Sequence, residues 1–142
     1  MPKNKRKRAV ALDIPGWVSK AYVALAVALT PWTVYLSITL PHRHLSGHWS
    51  LAWVGFDVAL IGSMLVTGIL AWRRSLWLVC TATMAGSALV IDAWFDIMSA
   101  TGLDFGEALV LAVCAEIPLA LLSFTLAFHA LKRLRLAYAR AR

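Results

Sequence analysis

The chain has 142 residues, 61% of them hydrophobic and 15% charged, and its mean hydropathy is +0.72. A soluble domain carries about a quarter charged residues, so a water-soluble globular fold is excluded, and within this length there is room for one domain only. The net charge of +7 does not point to nucleic acid, because the basic residues flank apolar segments and do not alternate with exposed aromatics.

Residues 1–16 read as a basic cytoplasmic tail, with Lys3, Lys5, Arg6, Lys7 and Arg8 ahead of a long apolar stretch. That stretch is too long for a signal peptide and no small-residue cleavage site follows it, so it reads as an uncleaved signal anchor. The first transmembrane helix is expected over 17–40. Pro31 lies inside it and should kink it, freeing carbonyls that need a partner. The loop 41–48 carries His42, Arg43, His44 and His48. A second helix is expected over 49–72, a tight turn at Arg73 and Arg74, and a third helix over 75–98. A short loop leads to a fourth helix over 106–131, and residues 132–142 continue as a basic tail. The expected fold class is all-α: an integral membrane bundle of four transmembrane helices in a single membrane domain.

Orientation follows from the basic residues. Of the fourteen Lys and Arg, only Arg43 falls in a loop on the side opposite the termini, so the positive-inside rule puts both termini of this multi-pass chain in the cytoplasm. Trp17, Trp72 and Trp77 then mark the inner interface, and Trp49, Trp53 and Trp94 the outer one. Small residues at four-residue spacing suit close helix packing: Ala24 and Ala28, then Ala59, Ser63, Thr67 and Ala71, then Ala82 and Gly86. One such stripe would serve a homodimer. Cys80 and Cys114 lie at different depths on different helices, so they are expected as small buried packing residues and not as a disulfide.

The acidic residues carry the functional signal. Of seven, only Asp13 falls on the cytoplasmic side; Asp57, Asp92, Asp96, Asp104, Glu107 and Glu116 all fall in the outer half or outer loops. At about 1.5 Å per residue, Asp57 and Asp92 lie about 10 Å below the outer ends of their helices and Glu116 about 14 Å. Three carboxyl groups on three helices therefore converge in depth, and Asp96 shares a face with Asp92. Glu107, nine residues before Glu116, is expected to point the other way and cap the fourth helix. An unpaired carboxylate in the membrane interior costs several kcal/mol, and such groups face a bundle interior or a water-filled cavity. No Lys or Arg lies in the outer half of a helix, so protons, a metal ion, a cationic ligand or the histidine-rich loop must supply the balance. Pro118 should bend the fourth helix beside Glu116 and widen the space there.

His42, His44 and His48 sit just above that level, and three histidines with several carboxylates are candidates for a divalent cation such as zinc. Their spacing matches no established metal motif. His129 lies far from them, near the inner end of the fourth helix, which argues against bis-histidine haem ligation. Plainer readings stand beside these: Asp57 fixing helix register through a hydrogen bond, Asp96 hydrated near the interface, and Asp104 in a loop or cap.

The stretches Trp53-Val54-Gly55-Phe56-Asp57 and Asp92-Ala93-Trp94-Phe95-Asp96 resemble those of uncharacterised small four-helix membrane proteins of high-GC bacteria. The resemblance covers helices two and three, implies a bacterial plasma membrane, and brings no activity with it. Small multidrug exporters carry an essential Glu in the first helix, and the first helix here has no acidic residue. Sterol-isomerase-like four-helix proteins also hold acidic residues in a membrane pocket, which implies a hydrophobic amine or lipid as ligand.

Three functions fit this pattern. The first is binding or transport of a cation or a cationic, amphiphilic small molecule, with Asp57, Asp92, Asp96 and Glu116 as counter-charge or proton-coupling groups. The second is an accessory or scaffold subunit whose carboxylates pair with a partner membrane protein. The third is a membrane-embedded enzyme acting on a lipid or isoprenoid, with one carboxyl as acid and another as base or metal ligand.

Overall fold

The computed structural model describes residues 14–39, 48–102 and 104–139. Four helical spans account for nearly all of them: α1 (Gly16–Thr39), α2 (Trp49–Trp72), α3 (Leu78–Ser99) and a fourth built of α4 (Asp104–Leu111), a π-helical turn (Ala112–Glu116) and α5 (Ile117–Ala139). Each span is long and apolar enough to cross a membrane, and the described residues contain no strand. The basic segment 1–13, the end of the expected first helix at Leu40, and His42 and His44 lie outside the described residues.

Two helix starts differ from expectation. The third span starts at Leu78, not Ser75, because the chain reverses through Arg74 in the left-handed region (φ 51°). The turn then closes through Ser75 N–H to Leu70 O and Leu78 N–H to Ser75 O. The fourth span starts at Asp104, two residues early, with Asp104 and Glu107 in its first turn, where negative side chains favour the positive end of the helix dipole.

Pro31 is accommodated within a continuous α1. On either side of it, the Thr30 and Thr33 hydroxyls donate back to the Ala26 and Leu29 carbonyls at 2.9 and 3.1 Å. Pro118 follows the π-helical turn. An α-helical proline removes one backbone hydrogen bond and its ring presses on the carbonyl four residues earlier, here Cys114. The turn relieves this by wider spacing, with Ile117 N–H donating to Ala112 O, five residues back.

The spans form a ring in which α1 packs on α2, α2 on α3, and α3 on the fourth span. The half nearer the termini is closely packed. The Ser19 hydroxyl donates to Gly68 O at 2.8 Å, and a Cβ on Gly68 would meet Val23, Ser19 and Tyr22 atoms at 3.1–3.2 Å, which shows how closely α1 and α2 approach. Gly86 of α3 lies equally close to Phe124 and Ser123 of α5. Tyr22, Met64, Leu78 and Ser123 are fully buried there.

The ring is not closed on its fourth side. Among the described residues, no Cα of α1 lies within 8 Å of a Cα of the fourth span, whereas packed helices have axes only about 8–10 Å apart. One hydrogen bond crosses this seam near the termini end, between Tyr22 Oη and Ser123 Oγ at 2.6 Å.

Some packing expectations are corrected. Cys80 and Cys114 are exposed, not buried, and Ala24, Ala28 and Ala59 face outward while Thr67, Ala71, Ala82 and Gly86 are buried. The outer surface of a membrane bundle meets apolar lipid, so small and apolar residues suit both faces.

Candidate functional site

The helix registers aim the carboxyl groups. On α2 the buried positions are Asp57, Leu60, Met64, Thr67, Gly68 and Ala71, and on α3 they are Leu78, Ala82, Ala85, Gly86, Leu89, Asp92 and Ala93. Both run at helical periodicity, so Asp57 and Asp92 are the far-end continuation of the core faces. On the fourth span Ala108, Ala112, Glu116 and Ala120 are buried at strict four-residue steps. Three such steps would drift by about 120° around a regular α-helix. The π-helical turn takes up the extra residue, and this keeps Glu116 on the inward face.

These carboxyl groups share a chamber of about 310 Å³ in the far half of the bundle. Asp57, Asp92, Asp96 and Glu116 all line it, with Trp32 of α1 and Trp53 of α2 on its walls and Leu60 and Leu89 among its apolar residues. A second cavity of about 380 Å³ is lined by Tyr35, Trp49, Ser99, Asp104 and Glu107, among others. Trp32, Leu36, Trp53, Asp96 and Leu111 line both, so the two are neighbouring spaces and Asp96 is the acidic residue they share. Among the described residues, neither has a basic lining residue. Acidic groups thus run from an exposed rim at Asp104 and Glu107, past half-buried Asp96, to Asp57, Asp92 and Glu116, which are only 4%, 7% and 9% exposed.

Polar satisfaction differs from group to group. Asp57 Oδ2 accepts from the Thr33 hydroxyl at 3.2 Å. That hydroxyl also lies 3.1 Å from Leu29 O and has one hydrogen to give, so the bond is a shared one. Glu116 Oε2 is buried with no hydrogen-bond donor among the described residues. The Asp96 carboxyl lies beside the Glu116 carboxyl, and the Asp57 and Asp92 carboxyl groups lie near this pair. Two carboxyl groups satisfy each other only with a proton between them. The chamber therefore offers acceptors in excess of donors, which is the arrangement a cation or a hydrogen-bond donor would complete.

The aromatic walls are ordered by mutual contact. Trp53 packs edge-on to Phe95 (centroids 6.0 Å, 89°) and to Trp49 (5.8 Å, 69°). Trp32 and Tyr35 lie 5.7 Å apart on α1. Aromatic faces within about 6 Å of a cation contribute attraction beyond that of the carboxylates.

The structure brings Asp57, Asp92, Asp96 and Glu116 together as the depth estimate anticipates. It does not bring His48 to them: His48 is exposed at the start of α2 and lines neither cavity. No group of three or more His, Cys, Asp or Glu side chains among the described residues is arranged to hold a metal ion. Glu107 is exposed and belongs to the rim, away from the deep carboxyl group. Sequence reasoning missed the contribution of α1. Trp32 and Thr33 reach the chamber, yet neither is charged; the signal available was Thr33 at the depth of Asp57, two residues after Pro31.

Comparison with known families, curated proteins and solved structures finds no match.

Proposed function

We propose that this protein is a plasma-membrane protein that binds a cationic, partly apolar small molecule, an organic ammonium, in the far-half chamber, as a binding or carrier protein. The observation that carries the reading is Glu116 Oε2, buried and without a donor among the described residues, in a cavity that these residues line with three further carboxyl groups, two tryptophans and no basic side chain. Burying such an oxygen unpartnered costs about 1–3 kcal/mol, and a bound cation would offset that cost. An organic ammonium suits the site better than a metal ion, because it makes diffuse contacts with carboxylates and ring faces and needs no fixed ligand geometry. The excess of basic residues at the termini supports cytoplasmic termini, which would open the chamber toward the outside. The close packing of the termini-end half favours binding over an open conduit.

The test uses the full chain in lipid nanodiscs with benzyltrimethylammonium as probe, read by tryptophan emission. The expected result is saturable binding that weakens by about tenfold or more, 1.4 kcal/mol, in both Asp57→Asn and Glu116→Gln, and no binding of the neutral carbon isostere. Equal affinity across wild type and both variants would sink the reading. Absence of any binding, with a membrane protein copurifying in a carboxylate-dependent way, would favour an accessory subunit instead.

A further inference from the structure

The chamber is bounded by two spans whose mutual lining its acidic groups do not explain. Its walls on α1 are Leu25, Ala28, Leu29, Trp32 and Leu36, and on the fourth span Leu111, Ala115, Glu116 and Leu119. These are the two spans whose backbones do not meet. Apart from Glu116, every one of these residues is apolar. The narrowest side chains on the two lips are Ala28, exposed, and Ala115, half-buried next to Glu116. Among the described residues, the hydrogen bond that crosses the seam, between Tyr22 and Ser123, lies toward the termini. In a membrane-spanning bundle this places an apolar slot between the hydrocarbon region and a buried carboxyl group.

We propose that the ligand is a membrane-borne alkylammonium, reaching the chamber sideways through the α1–fourth-span seam, with its ammonium group among Asp57, Asp92, Asp96 and Glu116 and its alkyl chain lying between Leu25 and Ala28 on one lip and Ala115 and Leu119 on the other. This rests on the ammonium reading above and adds the ligand's tail and its route. Two features select this occupant. The seam residues and the four carboxyl groups line one chamber, so one molecule spans both. The carboxyl end requires a positive or donor headgroup, while the seam residues offer a chain nothing to hydrogen-bond and suit hydrocarbon alone. A water-borne cation would instead use the rim at Asp104 and Glu107 and leave the seam unoccupied.

The experiment separates the two claims. Full-length protein in nanodiscs is irradiated with a dodecylammonium carrying a diazirine in mid-chain, and adducts are mapped by peptide mass spectrometry, with and without excess unlabelled dodecyltrimethylammonium. The expected result is competable label on Leu25, Ala28, Ala115 and Leu119 exceeding that on the rim residues Ser99, Ala100 and Ala108 by about tenfold, with the label lost in Glu116→Gln and in Asp57→Asn. Competable, carboxylate-dependent label that falls mainly on the rim, or equally on both, overturns the lateral route and leaves the ammonium reading standing. Label that is not displaced by competitor, or that persists at full strength in both variants, removes the ammonium reading and this inference with it.

Discussion

Glu116→Gln separates a ligand-binding carboxyl from a structural one by the sign of its effect on the empty protein. In the wild type, Oε2 is an acceptor buried without a donor among the described residues, with the Asp96 carboxyl beside the Glu116 side chain. Glutamine keeps the shape and puts an NH₂ donor where one oxygen stood, facing an acceptor. A hydrogen bond to a charged group contributes about 1.5–3 kcal/mol, and removing an unpartnered buried acceptor adds to it. The variant without ligand should therefore be more stable than wild type by about 1–3 kcal/mol, while losing ammonium binding. The assay is reversible denaturation in mixed micelles, with helix content read by circular dichroism, run with and without benzyltrimethylammonium. Wild type should gain stability on adding the probe and the variant should not. A variant less stable than wild type in the absence of the probe would refute the reasoning, because it would mean the carboxylate is held by a structural partner.

The closely packed half yields a second prediction: Gly68→Ala forces a Cβ against Ser19 O and Tyr22 Cβ at 3.2 Å and should cost about 1–3 kcal/mol by overpacking. Gly55→Ala, which meets nothing within 4 Å, should be neutral or stabilise by about 0.5–1 kcal/mol through helix propensity, as read in the same denaturation assay. Tyr22→Phe removes the 2.6 Å bond to Ser123 and should cost about 1 kcal/mol; hydrogen exchange should rise selectively along α1, and unchanged protection there would contradict a tie across the seam. Acidification should weaken binding of dodecyltrimethylammonium, whose own charge is fixed, because protonating Asp57, Asp92, Asp96 or Glu116 removes counter-charge from the chamber and protonating Asp104 or Glu107 removes it from the rim. Affinity that stays flat or rises as pH falls, measured by tryptophan emission, would argue against carboxylates as the counter-ions.

The four spans were legible because apolar runs, basic flanks and tryptophan belts all act at the resolution of a single helix. So was the convergence of Asp57, Asp92 and Glu116, since a constant rise per residue turns sequence spacing into depth. What the sequence concealed depends on rotation about a helix axis. The segment Ala112–Glu116 contains nothing that distinguishes a π-helical turn from an α-helical one, and only Pro118, four residues after Cys114, hints at it. With a regular helix assumed, the inward phase of the fourth span is misjudged beyond Ala108. The exposure of Cys80 and Cys114 was hidden for a different reason: lipid is as apolar as the core, so residue type does not report which face a side chain occupies. The open seam between α1 and the fourth span was equally silent, because missing contact between two apolar helices leaves no mark in composition. The part of Asp96 was partly visible. Its four-residue spacing from Asp92 put it on the right face, but its place in the lining of both cavities depends on where Trp32 and Trp53 stand.

The central claim is that the chamber between Asp57, Asp92, Asp96 and Glu116 receives an organic ammonium. The most direct measurement is an experimental density map of the full chain in nanodiscs saturated with dodecyltrimethylammonium. The predicted result is headgroup density among the four carboxyl groups, within about 6 Å of the Trp32 or Trp53 ring centroid. A chamber that is dry and collapsed, or filled only by water while the amphiphile lies along the outer surface of the bundle, would contradict it.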